Sequence, residues 1–256
     1  MPQWDADLYL QFASERTQPV FDLLNRIHLR QPRRIADLGC GPGNSTEALR
    51  RHWPESSVVG VDLSAEMIRK ARQDYPAGTW MIGDATTWRA DPPVDLVFSN
   101  AMLQWVPHHA AVCRHLLDQI TPEGVLAVQV PAHYDSVLHR EIIELSRDPA
   151  WDARMHQARR ALTNESPGFY YDLLAPLAKR VDLWETTYYH VLPGPEGVVR
   201  WFRATGLRPF LDALDSDQER SRFEASLLKR YSTSYPRRPS GSILFPFRRL
   251  FFVAYR

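Results

Sequence analysis

The feature that most limits what this chain can fold into is a glycine-rich turn between a predicted strand and a predicted helix. The apolar stretch 34–38 is typical of a buried strand, it runs into Gly39-Cys40-Gly41-Pro42-Gly43, and a helix is predicted from about Asn44. The further strands predicted in this half are 57–62, 80–82, 94–99 and 125–130. Helical patterns lie between them, one of which Ser64 can cap, and this alternation predicts a doubly wound α/β sheet whose strands are mostly parallel.

The length of 256 residues favours one large domain with insertions, at ~150 residues per domain. We predict a single domain over 1–256 with an N-terminal helical cap at 1–29, in which a helix covers about 7–27 and Pro19 could introduce a break. A helix is predicted over 169–179, and a helical segment over 197–231. Strands rich in β-branched and aromatic residues are predicted at 181–192 and 248–255, and we expect them to pair. The segments 131–166 and 194–242 are predicted as helical and loop insertions.

Composition excludes several classes of protein. No apolar run approaches the ~18 to 20 residues that a membrane span needs, and the N-terminal residues lack the pattern of a secretory signal, so we predict a cytoplasmic protein without a membrane partner. Cys40 and Cys113 show no CxxC spacing and no neighbouring histidine cluster, which predicts reduced thiols and no metal site.

The charge distribution bears on the ligand. Residues 1–130 carry 12 basic and 15 acidic side chains, and residues 131–256 carry 19 and 15, which gives no patch dense enough for nucleic acid. All of the basic residues except Lys70, Lys179 and Lys229 are arginines, the side chain suited to bidentate capture of a carboxylate or phosphate.

Acidic residues follow three of the predicted strands. The GxGxG spacing of the turn differs from a dinucleotide GxGxxG fingerprint, whose third glycine would fall on Asn44. Asp37, just before the turn, repels phosphates and suits an ammonium or sulfonium group, Asp62 can accept hydrogen bonds from ribose hydroxyls, and Asp84 can meet an adenine amino group. This pattern favours S-adenosylmethionine over NAD; the alternative is a structural turn with three surface aspartates.

The stretches Ala36–Gly43, Val61-Asp62 and Gly83-Asp84 resemble the class I S-adenosylmethionine-dependent methyltransferases over about residues 30–130. The resemblance implies a Rossmann-like methyltransferase sheet with an antiparallel C-terminal strand, S-adenosylmethionine as cofactor and S-adenosylhomocysteine as product. The cofactor-binding residues that we predict are Asp37, Gly39, Cys40, Gly41, Asp62, Leu63, Met67, Asp84, Ala85 and Asn100.

Within that family, the chain is similar to the members that methylate trans-aconitate. The similar stretches are 8–10 with 12 and 15–16, 39–46, Leu103-Gln104-Trp105 within 100–106, 124–130, Thr186-Thr187-Tyr188-Tyr189-His190, 205–209 and Phe247-Arg248-Arg249-Leu250-Phe251. The resemblance implies transfer of a methyl group to one carboxylate, which gives a monomethyl ester. Residues 131–166 diverge from it, which leaves related acids open as substrates.

A small polycarboxylate needs cationic partners in a water-poor site. Arg208 precedes Pro209 at the predicted start of a helix, where free backbone N–H groups would help to bind an anion. Tyr9, Phe12 and Arg16 share one face of the first helix, and this face could close over the ligands. Ordinary packing, or a solvated arginine, is the alternative for each of these residues.

Further candidates lie on predicted strands and on the turn after the fourth strand. Alternation puts Tyr188 and His190 on one face and Tyr189 on the other, and it separates Arg248 from Arg249, of which we select Arg249. Gln104 and Trp105 follow the fourth strand at the carboxyl edge of the sheet, where the methyl group is expected. Core packing is the alternative for the aromatic residues.

We predict direct in-line transfer without a general base, a catalytic residue or a metal, because a carboxylate is already ionised at pH 7. The alternatives are a methyltransferase for another small acid or for an acyl-carrier carboxylate, and a non-catalytic S-adenosylmethionine-binding protein. Methylation of nucleic acid is disfavoured because Ser99-Asn100-Ala101-Met102 differs from an Asn/Asp-Pro-Pro-aromatic base pocket. A monomer or weak homodimer is expected, and the two insertions are predicted to form the lid over the acceptor.

Overall fold

The computed structural model describes residues 13–163 and 165–256, and the side chains from residue 17 onward. The helices are α1 (Ala13–Leu24), α2 (Asn44–His52), α3 (Ala65–Asp74), α4 (His109–Asp118), α5 (Val137–Ser146), α6 (Pro167–Leu174), α7 (Pro195–Arg203), α8 (Arg208–Asp212) and α9 (Asp217–Ser234). The strands are β1 (Arg34–Leu38), β2 (Ser57–Asp62), β3 (Thr79–Ile82), β4 (Val94–Asn100), β5 (Ile120–Pro131), β6 (Arg180–Leu192) and β7 (Ile243–Tyr255). Single 3₁₀ turns lie at Leu103–Trp105, Asp152–Arg154 and Ala158–Arg160.

The described strands form one sheet in the order β3-β2-β1-β4-β5-β7-β6. Strands β1 to β5 pair in parallel, with Ile35 of β1 opposite both Val58 of β2 and Leu96 of β4. The amide of Arg256, just after β7, donates to the carbonyl of Gly124 near the start of β5 (2.9 Å), so β7 is antiparallel to β5. The predicted fold class, a mostly parallel methyltransferase sheet with an antiparallel C-terminal strand, is confirmed, as is the pairing of β6 with β7.

The chain divides into two compact units. The first, the sheet unit, comprises 13–130, Glu165–Glu185 and Leu250–Arg256, and the second unit comprises 131–163 and Thr186–Arg249. Apart from residues 165 and 166, the described parts of both predicted insertions belong to the second unit. A single domain with an N-terminal cap and an acceptor lid stays a prediction.

The centre of the sheet unit is apolar on both faces of the sheet. Leu96, Val97 and Phe98 of β4 are fully buried, and so are Val125 and Leu126 of β5. Continuous apolar runs of this kind are typical of parallel strands that are covered on both faces. Burial of these apolar residues fixes the position of each strand, and therefore also the position of the polar residues at its end.

The second unit has an aromatic core of its own. Its longest described helix, α9, packs against α5 and α7, and Phe223 and Leu227 on its inner side are fully buried. The Tyr231 hydroxyl donates to the Leu138 carbonyl of α5 (2.9 Å).

In the described ranges no helix, α9 included, is long and apolar enough to cross a membrane.

Two helix predictions differ from the structure at their ends. Helix α6 stops at Leu174 rather than at 179, because Pro176 has no backbone N–H with which to continue the helical hydrogen bonds. The segment predicted as helical over 197–231 contains three helices, separated at 204–207 and 213–216. Helix α1 is continuous from residue 13 through Pro19 to Leu24, so the break considered at Pro19 does not occur; its predicted start at residue 7 lies outside the described residues.

Two strands, β5 and β7, begin five residues earlier than predicted, and β3 and β6 begin one residue earlier. Strand β5 starts at Ile120, which pairs with Val94 before a register shift leads into the predicted segment at Val125. The intervening Thr-Pro-Glu-Gly sequence has the composition of a turn but forms an irregular part of the strand. Strand β7 begins at Ile243 and tolerates Pro246, whereas the prediction began at 248.

Candidate functional site

The glycine turn after β1 requires glycine for two different reasons. Gly39 (φ +72°) and Gly41 (φ +56°) both adopt left-handed backbone conformations. A Cβ on Gly39 would lie 2.3 Å from Cβ of Met102, whereas a Cβ on Gly41 would meet no atom of the described chain within 4 Å. The turn is thus packed against the protein at Gly39 and open at Gly41, where a ligand can approach the backbone.

Asp37, the residue before Leu38 at the end of β1, is a fully buried carboxylate. Its Oδ2 accepts hydrogen bonds from the hydroxyls of Ser45 and Thr46, both at 2.6 Å, and its Oδ1 has no hydrogen-bond partner among the described residues. Burial raises the pKa of Asp37 to about 6, against the lowering effect of the two hydroxyls, and the charge of Asp62 raises it further. A cationic ligand would remove this penalty on the ionised carboxylate.

Asp62, the last residue of β2, is anchored to the same turn. Its Oδ2 accepts a hydrogen bond from the amide of Gly41 (2.9 Å), and its Oδ1 accepts one from the amide of Ser64 (2.8 Å). Burial raises the pKa of Asp62, and these two hydrogen bonds oppose the rise. Each oxygen keeps a second acceptor site, so the carboxylate can still accept the hydroxyls of a ribose.

Leu63 and Ile82 are exposed apolar residues that lie beside Asp62, in sequence and in the β2–β3 register respectively. Leu63 is 42% exposed, and Ile82, which lies opposite Asp62 in the β2–β3 register, is 52% exposed. Exposed apolar side chains beside an acidic strand end suit the face of an aromatic base. Ile82 was missed by the sequence analysis, although its place as the last residue of β3 could have suggested it.

Met67 and Asp84 both take part in hydrogen bonds within their own local segments of the chain. Met67 is buried in α3, and its amide donates to the capping hydroxyl of Ser64 (3.3 Å), as the sequence predicted. Asp84 Oδ1 accepts hydrogen bonds from the amide and hydroxyl of Thr86, both at 2.8 Å. Ala85 is half-buried in that turn. Cofactor roles for Met67, Asp84 and Ala85 stay predictions.

Asn100 ends β4, the strand beside β1. Its Oδ1 is buried without a hydrogen-bond partner in the described ranges. Ala101 after it has a positive φ of 57°, and its amide donates to the Gln129 carbonyl (2.9 Å). Two neighbouring strands, β1 and β4, therefore end in buried oxygen atoms, of Asp37 and Asn100, that can still accept hydrogen bonds. Such atoms fit a donor-rich cation, as the predicted cofactor is.

The turn after β4 carries Gln104 and Trp105. Both lie in the 3₁₀ turn Leu103–Trp105, where Gln104 is buried and Trp105 is half-buried. The amide nitrogen Nε2 of Gln104 donates to the Ala101 carbonyl (2.7 Å), which holds this side chain against its own loop. Contacts of either residue with the acceptor stay predictions.

Arg208 begins the five-residue helix α8, but the expectation of free backbone N–H groups there is wrong. The Arg208 amide donates to the Thr205 carbonyl (3.2 Å), and the Phe210 amide donates to the Leu207 carbonyl (3.1 Å). The tight turn after α7 continues directly into α8, and Pro209 has no N–H to offer. The Arg208 side chain is half-buried and makes no ion pair within the described part of the chain, so only the guanidinium remains to bind an anion.

The structure decides which face of β6 points into the second unit. Tyr189 is 66% exposed, whereas Tyr188 is half-buried and His190 is 9% exposed. The His190 ring centroid lies 4.6 Å from that of Trp201 and 6.1 Å from that of Phe245. His190 is thus packed in an aromatic cluster, and its role as a ligand of the acceptor stays a prediction.

Arg248 and Arg249 separate as the alternation of a strand requires. Arg248 forms an ion pair with Asp135. Arg249 is only 3% exposed, and its guanidinium carbon lies 4.9 Å from the ring centroid of Phe247 and 6.0 Å from that of Tyr188. The second unit therefore brings Arg249 and Tyr188 together.

The side chains of three predicted site residues near the start of the chain are not described by the structure. Tyr9 and Phe12 lie outside the described residues, and Arg16 falls within α1 but its side chain is not described. Cys40 and Cys113 are buried free thiols, and burial raises the pKa of both.

Comparison with known proteins places this geometry in a family context. Residues 35–124 match the family model of a methyltransferase domain. The chain is 47% identical to the trans-aconitate 2-methyltransferase of Azoarcus sp. (strain BH72) over 100% of both chains. It is 43% identical to that of Rhodopseudomonas palustris (strain BisB18) over 99% of both.

Solved structures show the same fold at low sequence identity. A putative methyltransferase from Bacillus halodurans matches with a TM-score of 0.61 at 12% identity, over 93% of this chain and 98% of that one. Phosphoethanolamine N-methyltransferase 2 from Haemonchus contortus, solved in complex with S-adenosyl-L-methionine, matches with a TM-score of 0.58 at 14% identity, over 93% of this chain and 52% of that one.

Proposed function

We propose that this chain, which belongs to the trans-aconitate 2-methyltransferase family, transfers a methyl group from S-adenosylmethionine to one carboxylate of trans-aconitate. The products are the monomethyl ester and S-adenosylhomocysteine. The observation that carries the proposal is the end-to-end similarity to relatives of that name, because it includes the second unit as well as the glycine turn.

The sheet unit holds the methyl donor, which supplies an electrophilic methyl group on a cationic sulfur. Asp37 and Asn100 offer buried oxygen acceptors, Gly41 leaves room at the backbone, and Asp62 faces that room with two remaining acceptor sites. Leu63 and Ile82 offer apolar faces for the base. The further residues proposed to line the donor site are Gly39, Cys40, Met67, Asp84 and Ala85.

The second unit contributes cations for the acceptor. A guanidinium as buried as that of Arg249 acts in a medium of low dielectric constant, where its attraction for a carboxylate is stronger than in water. Its planar fork matches a carboxylate with two hydrogen bonds. Arg208 supplies a second, half-buried guanidinium. The other residues proposed to contact the acceptor are Tyr9, Arg16, Gln104, Trp105, Tyr188 and His190.

The chemistry asks little of the protein beyond orientation. The attacking carboxylate is ionised at pH 7 and needs no general base. The protein holds one carboxylate oxygen about 3 Å from the methyl carbon, in line with the departing sulfur, and excludes water. No side chain is therefore assigned as a catalytic residue. A monomeric or weakly dimeric state, a cytoplasmic location and the absence of nucleic-acid binding stay predictions.

The product tests the proposal. Incubation with S-adenosylmethionine and trans-aconitate should give a compound one methyl group heavier than trans-aconitate by mass spectrometry, and alkali should release methanol from it. Binding of S-adenosylmethionine without a methyl ester would favour the non-catalytic alternative, and methylation of a different acid would favour the alternative acceptors.

A further inference from the structure

His133 of the second unit lies against the same phenylalanine as Arg249, and His139 stacks on His133. His133 follows the end of β5 by two residues, and His139 lies in the first turn of α5. The imidazole rings of the two histidines are stacked, with centroids 5.5 Å apart and planes at 24°. The His133 ring meets Phe247 edge-on (5.8 Å), and Phe247 also carries the Arg249 guanidinium. One permanent cation and one imidazole therefore share the Phe247 ring, and the second imidazole stacks on the first.

The position of this cluster in the chain matches where ligands bind in open α/β folds. Ligands of such folds lie outside the carboxyl ends of the parallel strands. Asp37, Asp62 and Asn100 come from the carboxyl ends of β1, β2 and β4, and His133 comes from the carboxyl end of β5. The residues proposed to bind the donor lie at the ends of β1, β2, β3 and β4, and the end of β5 is left without a role.

Burial favours the neutral form of both histidines in the ligand-free protein. Burial, with further contributions from His139 and Arg249, lowers the pKa of His133 to about 3. Burial also lowers the pKa of His139. Asp135, two residues from His133, is paired with Arg248, and Glu141, two residues from His139, is paired with Arg140 and Arg230. A neutral imidazole still carries one N–H donor, and the ring nitrogens of His139 make no hydrogen bond within the described ranges.

We propose that His133 and His139, together with Arg249, bind the carboxylates of the acceptor that are not methylated. This inference rests on the proposed function, because it takes the acceptor to be a polycarboxylate. Arg249 supplies the bidentate fork, and each imidazole donates one N–H to a carboxylate oxygen. Three donor side chains that reach neighbouring carboxylates would select acids with several carboxylates over acids with one, because each further carboxylate accepts further hydrogen bonds.

Substitution of the half-buried His139 gives the sharpest test, because it disturbs the core less than a change at the buried His133. His139→Leu should raise the KM for trans-aconitate by about tenfold or more, as expected for the loss of a hydrogen bond to a charged group. His139→Gln, which keeps a donor, should recover part of that loss. The dissociation constant of S-adenosylhomocysteine and the thermal midpoint should stay close to the parent values. The matched control is His156→Gln, at an exposed histidine of the same unit, which should change none of these quantities.

Two results would overturn this assignment. One is an unchanged trans-aconitate KM in both His139→Leu and His133→Gln in a protein that methylates trans-aconitate, which leaves the proposed function standing. The other is an equal loss in the His156→Gln control. Should the parent protein methylate no polycarboxylate, the proposed function fails. In that case, calorimetric titration of trans-aconitate into the parent and His139→Leu proteins, both loaded with S-adenosylhomocysteine, tests whether His139 binds the polycarboxylate. Tighter binding by the parent supports the assignment, and equal or absent binding refutes it.

Discussion

Replacing Asp37 by asparagine should stabilise the ligand-free protein at neutral pH while it weakens cofactor binding. Burial raises the pKa of this carboxyl group to about 6 from its ordinary value of 3.8. That shift of roughly two units corresponds to about 3 kcal/mol of folding free energy, at about 1.4 kcal/mol per unit. Asparagine retains an oxygen that can accept from the hydroxyls of Ser45 and Thr46, and it carries no charge.

The sign of the pH dependence follows from the raised pKa. Between about pH 4 and pH 6 the unfolded chain has lost the Asp37 proton and the folded chain retains it, so stability falls as the pH rises. Above about pH 6 the full penalty of about 3 kcal/mol is present. Asp37→Asn lacks it, so the stability of the variant relative to the parent should improve by about 3 kcal/mol from pH 4 to pH 7.

Urea denaturation of both ligand-free proteins at half-unit pH steps measures this difference. The relative measure cancels every other titrating group that the two proteins share. A difference in the free energy of unfolding that stays constant from pH 4 to pH 7 would refute the reasoning. In the parent, S-adenosylmethionine affinity should also fall as the pH drops below about 6, because protonation removes the charge that favours a cation; in the variant it should be weak and independent of pH.

The remaining predictions concern single residues. Gly41→Ala should weaken S-adenosylmethionine binding about tenfold or more in a calorimetric titration. The control is Gly241→Ala, at another left-handed glycine with open space around it. Both variants should lose about 1 kcal/mol of stability, but Gly241→Ala should bind S-adenosylmethionine normally. Arg208→Ala should raise the acceptor KM and leave the cofactor dissociation constant unchanged; unaltered kinetics would remove Arg208 from the acceptor site. Arg249→Gln should lower kcat/KM for trans-aconitate by about thirtyfold or more, for a loss of roughly 2 kcal/mol, and a loss confined to thermal stability would assign Arg249 a packing role instead.

Local signals in the sequence were sufficient for the first two strands of the fold. The bounds of β1 and β2 were predicted to the residue, and so was the Ser64 cap, because a buried apolar run and a capping hydroxyl act over a few neighbouring residues. Strand β7 was predicted too short, because Pro246 normally breaks a strand and only the surrounding sheet shows that it is tolerated.

The acceptor side depends on tertiary contacts that a single sequence does not contain. Alternation separated Tyr188 from Tyr189, but only the packing of the second unit shows that Tyr188 points inward. The backbone N–H groups near Arg208 were expected to be free. The structure shows that the Arg208 amide donates to the Thr205 carbonyl, and this hydrogen bond depends on the fold of the turn, which the sequence does not reveal. The stacking of His133 on His139 was missed, because it requires the placement of α5 beside the end of β5.

The most direct test of the account is methyl transfer from labelled S-adenosylmethionine to a panel of trans-aconitate, cis-aconitate, citrate, isocitrate and itaconate, with kcat/KM measured for each. The account predicts a strong preference for trans-aconitate and a base-labile monomethyl ester as the product. Tight binding of S-adenosylmethionine with no transfer to any of these acids would contradict the assigned acceptor.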